Sequence, residues 1–281
     1  MNIERAKRNV SNVLLILLAV VVMMIFMFPF YVVVVNAFKT PIETAASAIS
    51  LPSALVWQNF QAAANKIDFT KSLINTLFVT TISVVLIVLC ASLSGYAIAR
   101  NYKKHKYFKV LDRVFLSSIM IPFQVIMIPV YKLFKGVGLL NNLWSMIFML
   151  TGVSVAYATF LYVGFVKSVP VELEEAARID GCGPVKTFAK IVFPLLKPIT
   201  ATVAALHAMW LWNDFNIALI LLQKDEVRTL TVKQFYFFSQ YASDYNMAFA
   251  AAIMGMIPVL IFFLFMQKNL ISGITSGAVK G

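Results

Sequence analysis

Five strongly apolar stretches of this chain contain no Asp, Glu, Lys or Arg for 18 residues or more: Asn9–Phe38, Ser72–Ala99, Val114–Tyr131, Gly136–Val166 and Tyr245–Gln267. At about 1.5 Å per residue, each can cross a hydrocarbon core of about 30 Å as a helix. A sixth run, from about Ile199 to Leu222, has the length but carries Asp214. With 60% hydrophobic and 13% charged residues, the chain lacks the polar surface a soluble domain of this size needs. The expected fold is an all-α integral membrane protein, one transmembrane domain over residues 1–281. Its six transmembrane helices are expected at about 12–38, 72–99, 114–134, 140–166, 199–222 and 245–267. The first run follows Arg5, Lys7 and Arg8, as a signal peptide would, but its apolar core is too long and no small-x-small site closes it. It is read as a retained helix.

The formal charge of +12 is gathered in short clusters between apolar runs, which orients a membrane protein and argues against nucleic acid as a partner. Arg100–Arg113 holds six basic residues and one acid, which places that loop in the cytoplasm. Counting helices from there puts the loop at 168–197 and both termini on the same side, with outer loops at about 39–71, 132–141 and 223–244. Pro122 and Pro129 fall in the third run and each removes a helical donor, so a kink or break is expected there. Cys90 and Cys182 form neither a disulfide framework nor metal-ligand spacing.

The loop at 168–197 contains ELEEAARIDGCGPVKTFAKIVFP. Pro170 suits a first helical turn, three glutamates lie near the positive end of the dipole, and Glu174 and Arg178 form an i, i+4 pair. Leu173, Ala176, Ala177 and Asp180 share a face of small residues that another protein can approach closely. Gly181 ends this helix and Gly183-Pro184 opens the next. Read from the residues alone, the segment is either a docking surface or a solvated interfacial helix–turn–helix.

Glu175-Ala176-Ala177, then Gly181, then Ile191 and Pro194 resembles the EAA loop of ABC importer membrane subunits, with Phe193 where the family pattern has Leu. SGYAIARNYKKHKY, WLWNDF and the C-terminal ISGITSGAVKG are similar to carbohydrate importer permeases of the maltose type, in particular the shorter, six-span subunit. The resemblance covers most of the chain. It implies a type I importer permease of a bacterial or archaeal cell (inner) membrane. The loop would be a coupling helix seated in an ATPase groove, with Glu175, Ala176, Ala177, Asp180 and Gly181 in the coupling role. The implied partners are a second permease subunit, an ATPase dimer, an extracellular or periplasmic sugar-binding protein reached by the aromatic loop at 224–246, and a sugar. ATP and magnesium would belong to the ATPase subunit; this chain has no G-x-x-x-x-G-K-[ST] motif, no nucleophile with a base and no metal-ligand set, so it is read as no enzyme.

In the fifth run, AALHAMWLWNDFNIAL, His207, Trp210 and Asp214 recur at helical spacing beside Asn213. An ionised Asp at the centre of a lipid-facing helix costs roughly 2.5–3.5 kcal/mol, so Asp214 should face the bundle interior or water. Trp210, Asn213 and Asp214 combine an aromatic face with amide and carboxylate groups, the chemistry of a sugar site. The same residues also suit an outer-interface anchor (Trp210, Trp212) and a helix cap (Asn213, Asp214). Hydroxyls at Thr76, Thr80 and Ser83 are more often helix-packing contacts than ligand contacts. Two rivals remain: an importer of a polyamine or other small solute, which should place several acids in its spans, and an ion-coupled secondary transporter, which should show paired intramembrane charges or repeated halves.

Overall fold

The structure, a computed structural model, describes residues 2–238 and 244–278. Parts of the expected outer loop (239–243) and of the C-terminal tail (279–281) therefore lie outside the described residues. In chain order the helices begin with α1 (Asn2–Ala37), α2 (Pro41–Ala46), α3 (Gln58–Lys66), α4 (Phe69–Asn101) and α5 (Lys106–Ile119). They continue with α6 (Phe123–Gly136), α7 (Leu143–Val166), α8 (Glu172–Ile179), α9 (Pro184–Thr187), a π-helical segment (Phe188–Val192) and α10 (Phe193–Leu195). The last are α11 (Lys197–Trp212), α12 (Asn216–Leu221), α13 (Leu230–Gln234) and α14 (Tyr245–Ala278). Asn12–Ala37, α4, α7 and Tyr245–Gln267 are long and apolar enough to cross a membrane; two bent helix pairs bring the number to six if each is one span.

The break expected at the prolines of the third run is present, whereas the span expected at 199–222 is not one continuous helix. α5 and α6 meet at 100°, broken at Met120–Pro122. Pro122 lacks an N–H and disfavours helical backbone at the residue before it, and it starts α6 from an extended conformation (ψ 136°). Pro129, by contrast, lies inside α6 without ending it. In the fifth run the helix stops at Trp212, and three residues separate it from the short α12. The segment Pro184–Leu195 leading into α11 is itself bent 75° from it.

The chain divides into two compact units, 1–69 with 234–256, and 70–233 with 257–281. In the first, α1 ends in a polar knot. Asn246 donates to the carbonyls of Asn36 and Lys39 and to the Thr44 hydroxyl, and Asn36 donates to Val32 and Ala48 carbonyls. The Lys39 ammonium, fully buried, donates to Ser47 O at 2.8 Å and Ser50 Oγ at 3.1 Å. α2 opens with a reciprocal capping box between Thr40 and Glu43. Hydrogen bonds from Ser53 and Thr40 hold the Glu43 carboxyl down at about 2.

The second unit is built on α4, α7 and α11, whose buried Ile87, Ile147, Leu150, Tyr162, Val203 and Leu211 share one core. α4 and α7 cross closely at Gly95, where an added Cβ would lie 2.5 Å from the Cβ of Tyr162. Only glycine allows that approach. Ser94 and Thr159 hydroxyls bond at 2.7 Å beside it, and Tyr162 donates to Thr200 Oγ1 on α11 at 3.0 Å. Asn141, in the left-handed region (φ 60°), accepts from the N–H groups of Gln223 and Lys224 and thereby holds the chain after α12.

Candidate functional site: a helical loop and a broken span

α8 forms where the sequence places it, with Glu172, Glu174 and Glu175 in its first turn. Its end is a Schellman motif. Cys182 N–H donates to Ala177 O, Gly181 N–H donates to Arg178 O, and Gly181 takes φ +79° between them. A residue with a Cβ is strained there, so the glycine sets how sharply the chain turns from α8 to α9.

The expected small-residue face is split by the structure. Leu173, Glu175, Ala176 and Asp180 are exposed, but Ala177 is 5% exposed and turns inward beside Glu174, at 1%. Ala177 therefore brings α8 close to the core, and the accessible face is formed by its neighbours. Nor does Glu174 pair with Arg178, which makes no ion pair among the described residues. Its Oε1 accepts from Arg100 Nε at 2.7 Å and its Oε2 from the Tyr96 hydroxyl at 2.7 Å. Arg100 Nη2 also donates to Val169 O at 2.9 Å, just before α8. The Tyr96 ring lies 5.2 Å from that of Phe188, in the π-helical segment after the turn. Thus the last turns of α4 grip both arms of the loop. Sequence reasoning missed Tyr96, Arg100 and Glu174 as a group. Their one visible signal is that Tyr96 and Arg100 sit four apart, on one face of α4.

In the fifth run, Asp214 does not continue the stripe of His207 and Trp210, because α11 has ended. Asp214 Oδ1 accepts from Ala218 N at 3.1 Å and caps α12, while its carbonyl accepts from Thr231 Oγ1 at 2.7 Å. Asn213 is exposed and donates to Met209 O at 2.8 Å, closing the last turn of α11. Trp210 is half exposed, its ring 5.4 Å from Tyr157 on α7 and 5.4 Å from buried His207. Tyr157 was not among the expected residues; its aromatic partner lies 53 positions away, beyond any periodicity. Trp212 faces elsewhere, into an apolar cavity of about 320 Å³ lined by residues such as Leu77, Val84 and Phe262. Thr76 holds structure, accepting from Leu230 N at 2.9 Å and donating to Ser72 O.

Residues 87–276 match the family described as the binding-protein-dependent transport system inner membrane component. A probable starch degradation products transport system permease protein, AmyC, of Thermoanaerobacterium thermosulfurigenes is 36% identical, over 98% of this chain and 99% of its own. The melibiose/raffinose/stachyose import permease protein MelC of Bacillus subtilis (strain 168) is 38% identical, over 99% of this chain and 100% of its own. In fold, the chain matches a solved bacterial ABC transporter involved in the import of the acidic polysaccharide alginate, with a TM-score of 0.81 at 21% identity over 92% of this chain and 96% of that one. This multi-pass membrane chain belongs to the family of binding-protein-dependent transport system inner membrane components.

Proposed function

We propose that this chain is a permease subunit of an ATP-driven, binding-protein-dependent importer of sugars, oligosaccharides above all. Its relatives named for starch products and for melibiose, raffinose and stachyose support the cargo class. A second permease subunit completes the pathway, and ATP hydrolysis belongs to a separate ATPase dimer that holds ATP and magnesium. The basic Arg100–Arg113 segment, α8 and both termini face the cytoplasm, and the loop before α14 faces the binding protein outside.

The observation that carries the coupling role is the geometry of the loop: a short helix with Glu175, Ala176 and Asp180 outward and a glycine-dependent turn behind it. Small side chains let a groove close on the helix. Along the pathway, the faces of Trp210 and Tyr157 cover the apolar C–H surface of a sugar, and Asn213 offers an amide to its hydroxyls. Asp214 contributes by shaping the break that presents Asn213.

The test is uptake by proteoliposomes holding the complete complex, with the binding protein on the outside and ATP within. The expected result is ATP-dependent accumulation of a labelled oligosaccharide. Uptake that needs an ion gradient instead of ATP, or accumulation of spermidine in preference to sugar, would overturn the reading.

A further inference from the structure

We propose that the buried cluster of Glu174, Arg100 and Tyr96 is a latch that makes α4 move with the coupling loop, so that a displacement of α8 becomes a displacement of a membrane-spanning helix. This rests on the permease reading above and adds residues outside the loop motif. The ion pair is short (2.7 Å) and well shielded, with side-chain exposures of 14% for Arg100 and 2% for Glu174. Separating two such charges leaves both desolvated and unpaired, so the pair resists sliding. It is also not a single contact. Both carboxylate oxygens of Glu174 are occupied from α4, the Arg100 fork reaches back to Val169 O ahead of α8, and Tyr96 meets Phe188 beyond the turn. α4 is thus fastened before, within and after the segment that would sit in an ATPase groove.

Next to it, the chain has a place to bend. Phe188–Val192 is π-helical and precedes the 75° bend into α11. Such segments interrupt the regular backbone ladder and commonly mark functional positions. The grip on α4 and the weak point before α11 assign different parts to the two helices: α4 follows α8 as a rigid arm, and α11 takes up the difference by bending.

The latch predicts a change in coupling, not only in stability. In proteoliposomes of the assembled complex, the quantity to read is sugar imported per ATP hydrolysed. Glu174→Gln keeps the side-chain shape and removes the charge; it should lower that ratio about fivefold or more, the lower end of ordinary coupling energies. Tyr96→Phe keeps the ring against Phe188 and removes one hydrogen bond while leaving the ion pair in place; it should lower the ratio about twofold, less than Glu174→Gln does. A merely structural role would reduce the amount of assembled complex and leave the ratio in that fraction unchanged. If Glu174→Gln prevents assembly, Tyr96→Phe decides. Parental ratios in whichever of these variants assemble overturn the latch, whereas a parent complex that neither hydrolyses ATP nor imports sugar overturns the permease reading itself.

Discussion

Glu174 and Asp214 are both acids in a chain with few of them; Glu174 lies in the first turn of α8 and Asp214 in the break between α11 and α12. Yet they are satisfied in different ways. Glu174 is almost fully buried and takes its partners from α4, more than seventy positions away in sequence. Asp214 is half-buried and bonds the backbone N–H of Ala218, four residues on. An acid held by a distant cation ties two elements together, and its loss is felt across the fold. An acid held by the backbone next to it shapes only its own helix. The loop and the broken span therefore should fail in different ways when altered.

The largest effect is expected from Glu174→Ala. It leaves Arg100 buried without its counter-charge and should cost about 3–5 kcal/mol. Asp214→Ala removes a cap and should cost about 0.5–2 kcal/mol. Thermal unfolding of the detergent-purified complex separates the two. Equal costs would mean that the ion pair is not the tie it is taken for.

Gly181 and Gly183 sharpen the comparison within the loop. Both are exposed or open to solvent, with nothing within 4 Å of an added Cβ, but Gly181 has φ +79° and Gly183 has φ −69°. Gly181→Val should cost at least about 1–2 kcal/mol in backbone strain, reshape the turn and uncouple transport from ATP hydrolysis. Gly183→Val meets an extended backbone before Pro184, which a β-branched residue adopts readily, and should transport as the parent does. The measurement is uptake alongside ATPase activity for both variants.

The smallest effect is expected at the broken span. Trp210→Ala and Tyr157→Ala each remove one ring of a tilted aromatic pair and should raise the half-saturating sugar concentration roughly two- to tenfold, the effect of losing a contact worth about 0.5–1.5 kcal/mol. Asp214→Asn keeps an acceptor for Ala218 N–H and should be tolerated better than Asp214→Leu. Unchanged half-saturation in assembled Trp210→Ala and Tyr157→Ala complexes would assign these rings to helix packing.

The same contrast separates what a sequence discloses from what it does not. The spans read from charge and hydropathy, 72–99 and 140–166, lie within about three residues of the helices α4 and α7, because a bilayer restricts charge directly. The Gly181 turn is legible too, because glycine after a short charged helix has a local cause. Hydropathy counts side chains, however, and says nothing about where the backbone bends. The break after Trp212 was invisible because Asn213 and Asp214 are equally compatible with a polar stripe and a cap. Pairing rules reach three or four residues along a helix, so they nominated Arg178 for Glu174. The actual partner required knowing that Gly95 lets α4 approach α7 and delivers Arg100 to α8.

To meet an ATPase, α8 must lie on the cytoplasmic side of the membrane. The chain carries its own probe in Cys182, which is partly exposed one residue after Gly181. In a Cys90→Ala background, a membrane-impermeant thiol reagent applied to intact cells should leave Cys182 unlabelled until the membrane is permeabilised. An added Asp225→Cys should react at once. Labelling of Cys182 in sealed cells at the rate of Asp225→Cys would contradict the account, because a loop on the outer face cannot couple the span to ATP hydrolysed within.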